Sequence, residues 1–311
     1  MNLLVMPVCY ESLISVVVVT YNSSSFITET LESIKDQRWE NIEVIITDDS
    51  STDNTLEICR RWLDLNNNHF KRTEVISSHI NTGLSLNCNR GLQSSRGKWV
   101  KFIAGDDLLL PSSLENYFRF VDSNNAIKVV ISNIKIIGEH AGFIMIDEKF
   151  GRLKARSQLR YILENLGPPL GPSAFFHRET LLSAGGFDER IPMLEDYPLS
   201  INLSNLGIRI YHLNDICVAY RMHRNSISNT RGFSDSFTNM FSLVAFPVMK
   251  SRAMYFLLYH YSLQRYLNNK QSHYTFLTKM QRNIMLATDL YQWKFKILGK
   301  KQSVKMILTS T

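Results

Sequence analysis

The sequence predicts an α/β fold: a mostly parallel central sheet flanked by helices, with a helical C-terminal appendage. Three observations predict it. Runs such as Ile14-Ser15-Val16-Val17-Val18-Val19 are β-branched with little polar alternation, the pattern of strands buried on both faces. Helically spaced apolar residues follow these runs, and strand alternating with helix implies right-handed parallel units. After Asn229 the composition shifts to helical, aromatic and basic.

Taken in order, the first strand stops at Thr20-Tyr21-Asn22-Ser23, and Ile27, Leu31 and Ile34 form one face of the following helix. Ile42 to Thr47 is a second strand ending at Asp48-Asp49. Ser50-Ser51-Thr52-Asp53 supplies caps for a helix whose apolar face is Leu56, Cys59 and Leu63. Val75-Ile76 marks a third strand, Leu86 to Leu92 a helix, and Trp99 to Ile103 the strand that leads to Asp106-Asp107. Pro111 to about His140 reads as helix then strand. Leu153 to Asn165 is helical and is broken by Gly167-Pro168-Pro169. Glu195-Asp196 opens a helical stretch to Leu206, and Ile208 to Tyr211 and Cys217 to Tyr220 read as two short strands. A boundary falls near Asn229, giving a core domain over 1–230 and a helical, basic and aromatic region over 231–311.

The formal charge of +7 is unevenly placed: Gly232 to Thr311 carries 11 Lys and Arg against two acidic residues, which leaves the preceding part weakly acidic. Four scattered cysteines, Cys9, Cys59, Cys88 and Cys217, form no CxxC pair, against a zinc site or disulfide framework and in keeping with a reducing compartment. Met1 to Glu11 is too short for a signal peptide, and no apolar run reaches the ~20 residues of a spanning helix. No nucleic-acid recognition module is visible, and no internal repeat.

In parallel sheets ligands sit beyond the carboxyl ends of strands. Three such ends here carry polar clusters, Thr20 with Asn22, Asp48-Asp49 and Asp106-Asp107, and topology brings them to one edge. Adjacent carboxylates repel. A divalent cation is the commonest reason for them, taking carboxylate oxygens and sharing its other positions with substrate phosphates. Glu195-Asp196 is a further acidic pair, suited to proton transfer.

Four segments in order, VVVVTYNSSSFITETLESIKDQRWENIEVIITDDSSTDNT, NTGLSLNCNRGLQSSRGKWVKFIAGDD, GGFDERIPMLEDYPLSINL and YRMHRNSIS, resemble the inverting glycosyltransferases of family 2, of the polysaccharide and O-antigen type. The resemblance covers roughly Ile14 to Asn229. It implies the Rossmann-like GT-A fold, with a nucleotide-binding half over about 12–110 and an acceptor-binding half over 111–230. It implies a UDP-sugar donor, a divalent cation (Mn²⁺ or Mg²⁺) and transfer of a hexosyl or N-acetylhexosaminyl group to a glycan hydroxyl in cell-surface polysaccharide synthesis.

Residue by residue, the resemblance places Thr20, Tyr21 and Asn22 at the uridine and Asp48 on the uracil N3–H. Asn81 and Gly83 shape the nucleotide pocket, Asp106 serves the ribose or a metal-bound water, and Asp107 is the metal ligand. His223 completes the cation's coordination, and Arg221 or Arg224 meets the diphosphate. Asp196 is the base, with Glu195 orienting the acceptor; the reverse assignment stays open. Asp49 orders a loop, Asn89 serves either the pocket or local structure, and Arg90 is an exposed helix arginine or a phosphate contact. Many members carry an Asp where this chain has Ala104, which leaves fewer metal ligands. The tail interleaves tyrosines with Arg265, Lys279, Arg282, Lys294 and Lys296. That pattern fits either an anionic membrane surface or the wet face of a helical appendage. An enzyme of this kind would work at the cytoplasmic face of the inner membrane on a polyprenyl-diphosphate-linked acceptor. The alternative is a non-catalytic nucleotide-sugar or glycan-binding module on the same scaffold.

Overall fold

Strand β1 (Ile14–Thr20) is buried along its whole length because helices cover both faces of the sheet it centres. Val16 and Val18 point to one face, among Ile27, Leu31, Ile34, Cys59 and Trp62; Val17 and Val19 point to the other, among Cys88, Leu92 and Leu199. Each such side chain contributes on the order of 1.5–3 kcal/mol of transfer free energy. This explains the unalternating run of valines. A computed structural model describes residues 12–139, 141–165, 170–224, 226, 236 and 239–248. The basic aromatic tail, with its membrane-surface reading, lies outside the described residues apart from its first few. Among the described residues no helix is long and apolar enough to cross a membrane.

β1 is followed by α1 (Ile27–Lys35), β2 (Ile42–Asp48), α2 (Thr55–Asn66), β3 (Arg72–Ser77), α3 (Leu84–Ser94) and β4 (Trp99–Ala104). The four strands pair in parallel in the order β3-β2-β1-β4, as the sequence predicts. On α2, Cys59 and Leu63 are buried as expected, but Trp62 joins them and Leu56 is only half covered. α3 lies so close to β1 that a Cβ at Gly91 would come within 2.2 Å of Val17 Cγ1.

Beyond β4 come β5 (Leu108–Leu109), α4 (Ser113–Asp122), β6 (Val129–Gly138), β7 (Gly142–Ile144), α5 (Glu148–Arg152), α6 (Ala155–Asn165), β8 (Ala174–His177), α7 (Arg178–Ser183), α8 (Asp196–Asn205) and β9 (Ile210–Met222). The sheet continues β4-β8-β6-β9-β5, with β7 on β6. Its second half is mixed: β8 is antiparallel to both β4 and β6, whereas β6 and β9 run parallel.

The two short strands expected around residues 208–220 are one continuous strand, β9. Its register against β6 slips between Ser132 and Asn133, where Leu213 pairs with the first and Ile216 with the second. The unpaired stretch puts Asn214 and Asp215, two poor strand formers, in a bulge, and Asn133 Nδ2 donates to Asn214 Oδ1 across it.

The halves are joined at α3. Ser85 N–H and Oγ donate to the carbonyls of Pro192 and Ile191. Asn89 exchanges bonds with the backbone of Phe187, which gives that asparagine a structural role.

Candidate active site

The three strand ends meet as the topology requires. Gly105 N–H donates to Val19 O and Asp49 N–H to Thr20 O, so β1, β2 and β4 end at one level. A Cβ on Gly105 would press on Ser23 and Thr20. Thr20, Asp48 and Asp106 therefore stand on one rim.

On this rim Asp48 is 1% exposed. Its Oδ1 accepts Thr20 Oγ1 at 3.0 Å and the Ser51 hydroxyl; its Oδ2 accepts Ser51 N–H at 2.9 Å. Asn22 has left-handed backbone, φ 51°, a conformation asparagine tolerates because its side chain can bond locally. Here Oδ1 accepts Thr52 N–H at 2.8 Å, while Asn22 N–H donates to Ser51 Oγ. Tyr21 and Asn81 are exposed beside these buried groups, and Asn81 Oδ1 accepts Gly83 N–H at 3.2 Å. Gly83 has φ 91° and abuts Pro192, so a side chain there would be both strained and obstructed.

Asp49 orders its loop, as expected. It accepts the N–H groups of Thr82 and Gly83, the Thr82 hydroxyl, and Arg90 Nη2 at 2.6 Å. Arg90 is neither an exposed helix arginine nor open to a phosphate: its Nη1 and Nη2 bond Thr82, Asp49 and Asn87. Asn87, which sequence reasoning missed, is the hub. It is buried, its Nδ2 donates to the carbonyls of Thr20 and Thr47, and its Oδ1 accepts from Thr47 and Arg90. An asparagine on the apolar face of α3 was the available signal.

At the end of β4 the two aspartates part company. Asp106 is partly exposed and its Oδ2 lies 2.9 Å from His223 Nε2. Asp107 is 1% exposed and its Oδ1 accepts Arg221 N–H at 2.8 Å. Burial, then the neighbouring Asp106, push the Asp107 carboxyl well above the usual carboxylate range. Of the three residues expected at the metal, Asp106 and His223 are partly exposed and pair with each other, and Asp107 is buried beside them. A carboxylate oxygen and an imidazole nitrogen side by side suit Mn²⁺ or Mg²⁺ moderately. Among the described residues no three His, Cys, Asp or Glu side chains gather to hold an ion by themselves. A cation held here would share its remaining positions with water or substrate oxygens.

Arg221 is a brace. Its Nε donates to Asp106 O at 2.8 Å and its Nη2 to Glu29 at 2.7 Å, while its guanidinium lies 4.8 Å from the Phe26 ring centroid. Phe26 also packs against the His223 ring, with centroids 5.0 Å apart. These contacts engage Arg221 within the chain. Arg224 is 91% exposed, with Glu139 3.6 Å from its Nε. Nothing in the sequence pattern marks Phe26 or Glu29.

Across α3 lie Glu195 and Asp196, at the start of α8. Asp196 Oδ1 accepts the N–H of Tyr197 at 2.8 Å, and Gly171 lies against its carboxylate, where an added Cβ would be 3.7 Å from Oδ2. The Glu195 side chain caps nothing. Both are partly open to solvent. Burial, then the adjacent Asp196, raise Glu195 to about 8; burial raises Asp196 to about 6. Two neighbouring carboxyls titrate as a pair, and burial favours the protonated form of both. Asp188 is engaged in a bidentate pair with Arg190.

The family model described as "Glycosyl transferase family 2" matches residues 15–182. The chain is 26% identical over 222 residues, 70% of its length and 80% of the other, to the Escherichia coli "UDP-Glc:alpha-D-GlcNAc-diphosphoundecaprenol beta-1,3-glucosyltransferase WfaP". Its fold superimposes on S. aureus TarS 1–349 in complex with UDP with a TM-score of 0.60, at 22% identity over 82% of this chain and 72% of TarS. It also superimposes on a mannosyltransferase from Pyrobaculum calidifontis, PcManGT in complex with GDP-Man and Mn²⁺, with a TM-score of 0.58, at 18% identity over 91% and 82% of the two chains.

Proposed function

This chain belongs to glycosyl transferase family 2, and from that premise we propose that it transfers a sugar from a UDP-sugar to a hydroxyl of a glycan, with inversion. The observation that carries the reading is the placement of two unlike acidic sites on either side of α3. One is a rim of strand ends with Asp48, Asp106 and His223; the other is the raised pair Glu195–Asp196.

On the rim, the free lone pair of Asp48 accepts the uracil N3–H, while Tyr21, Asn22 and Asn81 border the base and ribose. Asp106 and His223 would hold a divalent cation, with Asp107 behind them; such an ion neutralises charge on the departing diphosphate. Arg224, rather than Arg221, serves the diphosphate.

On the other side, Asp196 takes the proton of the acceptor hydroxyl as that oxygen attacks the anomeric carbon. The bond to the diphosphate oxygen breaks as the new bond forms, and its electron pair leaves with UDP. Glu195 keeps its proton below about 8 and so donates a hydrogen bond that orients the acceptor. The product of an α-linked donor is β-linked. A polyprenyl-diphosphate-linked acceptor is supported by the substrate in WfaP's name and agrees with a location at the cytoplasmic face of the inner membrane in surface-polysaccharide synthesis.

UDP release from a panel of UDP-sugars, with a lipid-diphosphate-linked sugar as acceptor, tests the reading. Release with one donor, supported by Mn²⁺ or Mg²⁺ and stopped by EDTA, is expected. Tight UDP binding without release under all these conditions would favour the binding module instead. Absence of UDP binding would sink the role of Asp48.

A further inference from the structure

Behind the acceptor-side acids lies a buried polar knot that no step above uses. Lys101, on β4 between Val100 and Phe102, is fully buried. An ammonium left unanswered in such surroundings costs several kcal/mol. Its donors have partners: Nζ donates to the carbonyl of Pro172 and, at 3.1 Å, to that of Ala174. The ammonium also lies 5.5 Å from the centroid of the Tyr117 ring. Tyr117, equally buried, donates its hydroxyl at 2.5 Å to the carbonyl between those two, Ser173 O, and lies 2.8 Å from Ser132 Oγ. Three successive carbonyls are thus gripped from the core side.

These carbonyls belong to the turn that begins at Gly171, closed by Ser173 N–H and Oγ donating to Leu170 O. Gly171 is the one group outside α8 whose backbone N–H favours the charged form of Asp196. The approach is close, since a Cβ on Gly171 would lie 3.7 Å from Asp196 Oδ2. We propose that Lys101, assisted by Tyr117, is a positioning residue for Asp196: it fixes the Gly171–Ser173 turn and thereby the place of the carboxylate. The proposal rests on Asp196 being the proton acceptor of transfer. Methionine would fill the same space without a buried charge, so the ammonium is explained by what it grips. Burial pulls Lys101 down to about 7, as befits an ammonium held by carbonyls and not by a carboxylate.

Lys101→Met is the test, with Tyr117→Phe as a milder variant that removes one bond to the turn and keeps the core filled. Three quantities are read on the full chain: UDP affinity by calorimetry, kcat and KM of transfer, and the Gly171 amide resonance of isotope-labelled protein across the titration of Asp196. Lys101→Met is expected to lower kcat roughly tenfold to a hundredfold, the scale of a misplaced reacting group, with UDP affinity and acceptor KM unchanged. Its Gly171 amide should no longer follow Asp196, and Tyr117→Phe should show a smaller loss of the same kind.

The amide reports the placement of Asp196 whatever that residue does in transfer. If the response is lost in Lys101→Met while Asp196→Asn keeps transfer, the base assignment fails and the positioning role stands. An unchanged amide response in both variants overturns the proposal. So does a fall in UDP affinity that parallels the fall in kcat, because that marks a general structural role. Should Lys101→Met not fold, Tyr117→Phe decides alone.

Discussion

Asp48 and Asp49 on the strand-end rim are buried, and the acids at the start of α8 are partly so, yet their surroundings differ. Asp49 is surrounded by donors from Thr82, Gly83 and Arg90, and Asp48 by Thr20 and Ser51. Asp196 has only backbone N–H groups around it, those of Tyr197, Gly171 and its own residue, and Glu195 only its own. A carboxylate ringed by side-chain and backbone donors is fixed in place by them. A carboxylate denied them is held near the point of taking a proton, as a base at neutral pH requires. The difference lies in the donors each acid meets, and burial alone does not reveal it.

The sharpest test of that contrast is Asp196→Asn, expected to lower transfer roughly 10²–10⁴-fold, the usual worth of a positioned base, while calorimetry shows unchanged UDP affinity. A parallel loss of UDP binding would erase the distinction between the two sides. Next in size, His223→Ala and Asp106→Asn should weaken UDP binding in Mn²⁺ about tenfold or more, with no change when EDTA is present.

The pH dependence of kcat carries a definite sign. Below about 6 Asp196 is protonated and cannot accept, so the rate falls towards acid; above about 8 Glu195 loses its proton and a second charge faces the acceptor, so the rate falls towards alkali. A rate still rising past pH 8 would reverse the assignment of the two acids.

The smallest effects are on stability, and they should have opposite signs. Arg90→Met strips Asp49 of its cation and should cost about 2 kcal/mol in denaturant titration, below the range for fully buried pairs because the Arg90 side chain is 20% exposed. Glu195 is raised in the folded state, so its protonation favours folding. That contribution is complete below its unfolded value of about 4.5 and is lost as pH climbs through about 8. Glu195→Gln should therefore raise Tm by a few degrees at alkaline pH and change little near pH 4.5.

The parallel half of the fold was legible in the sequence because each strand there is a short apolar run closed by polar residues. The acidic pairs were legible because like charges at a strand or helix end need a reason. What was not legible depends on distant partners. Asn87 gains its meaning from Thr20, Thr47 and Arg90, and Glu29 from Arg221, 192 positions away. The division of labour between Asp106 and Asp107 is decided by where β9 lays the Arg221 backbone. The unity of β9 is hidden because its bulge interrupts the apolar pattern where the strand merely slips register. Lys101 did leave a trace, a charge inside an apolar strand, whose purpose only the turn beside Asp196 reveals.

The seam along α3 has a mechanical consequence. To part the halves like a clamshell would break the bonds of Ser85 to Ile191 and Pro192 and of Asn89 to Phe187 together, besides unzipping β4 from β8. The body is stiff there. His223, at the end of β9, is tied to the first half by Asp106 and by the ring of Phe26. A load that tried to open the molecule would thus meet resistance at two separated places, the α3 seam and the end of β9.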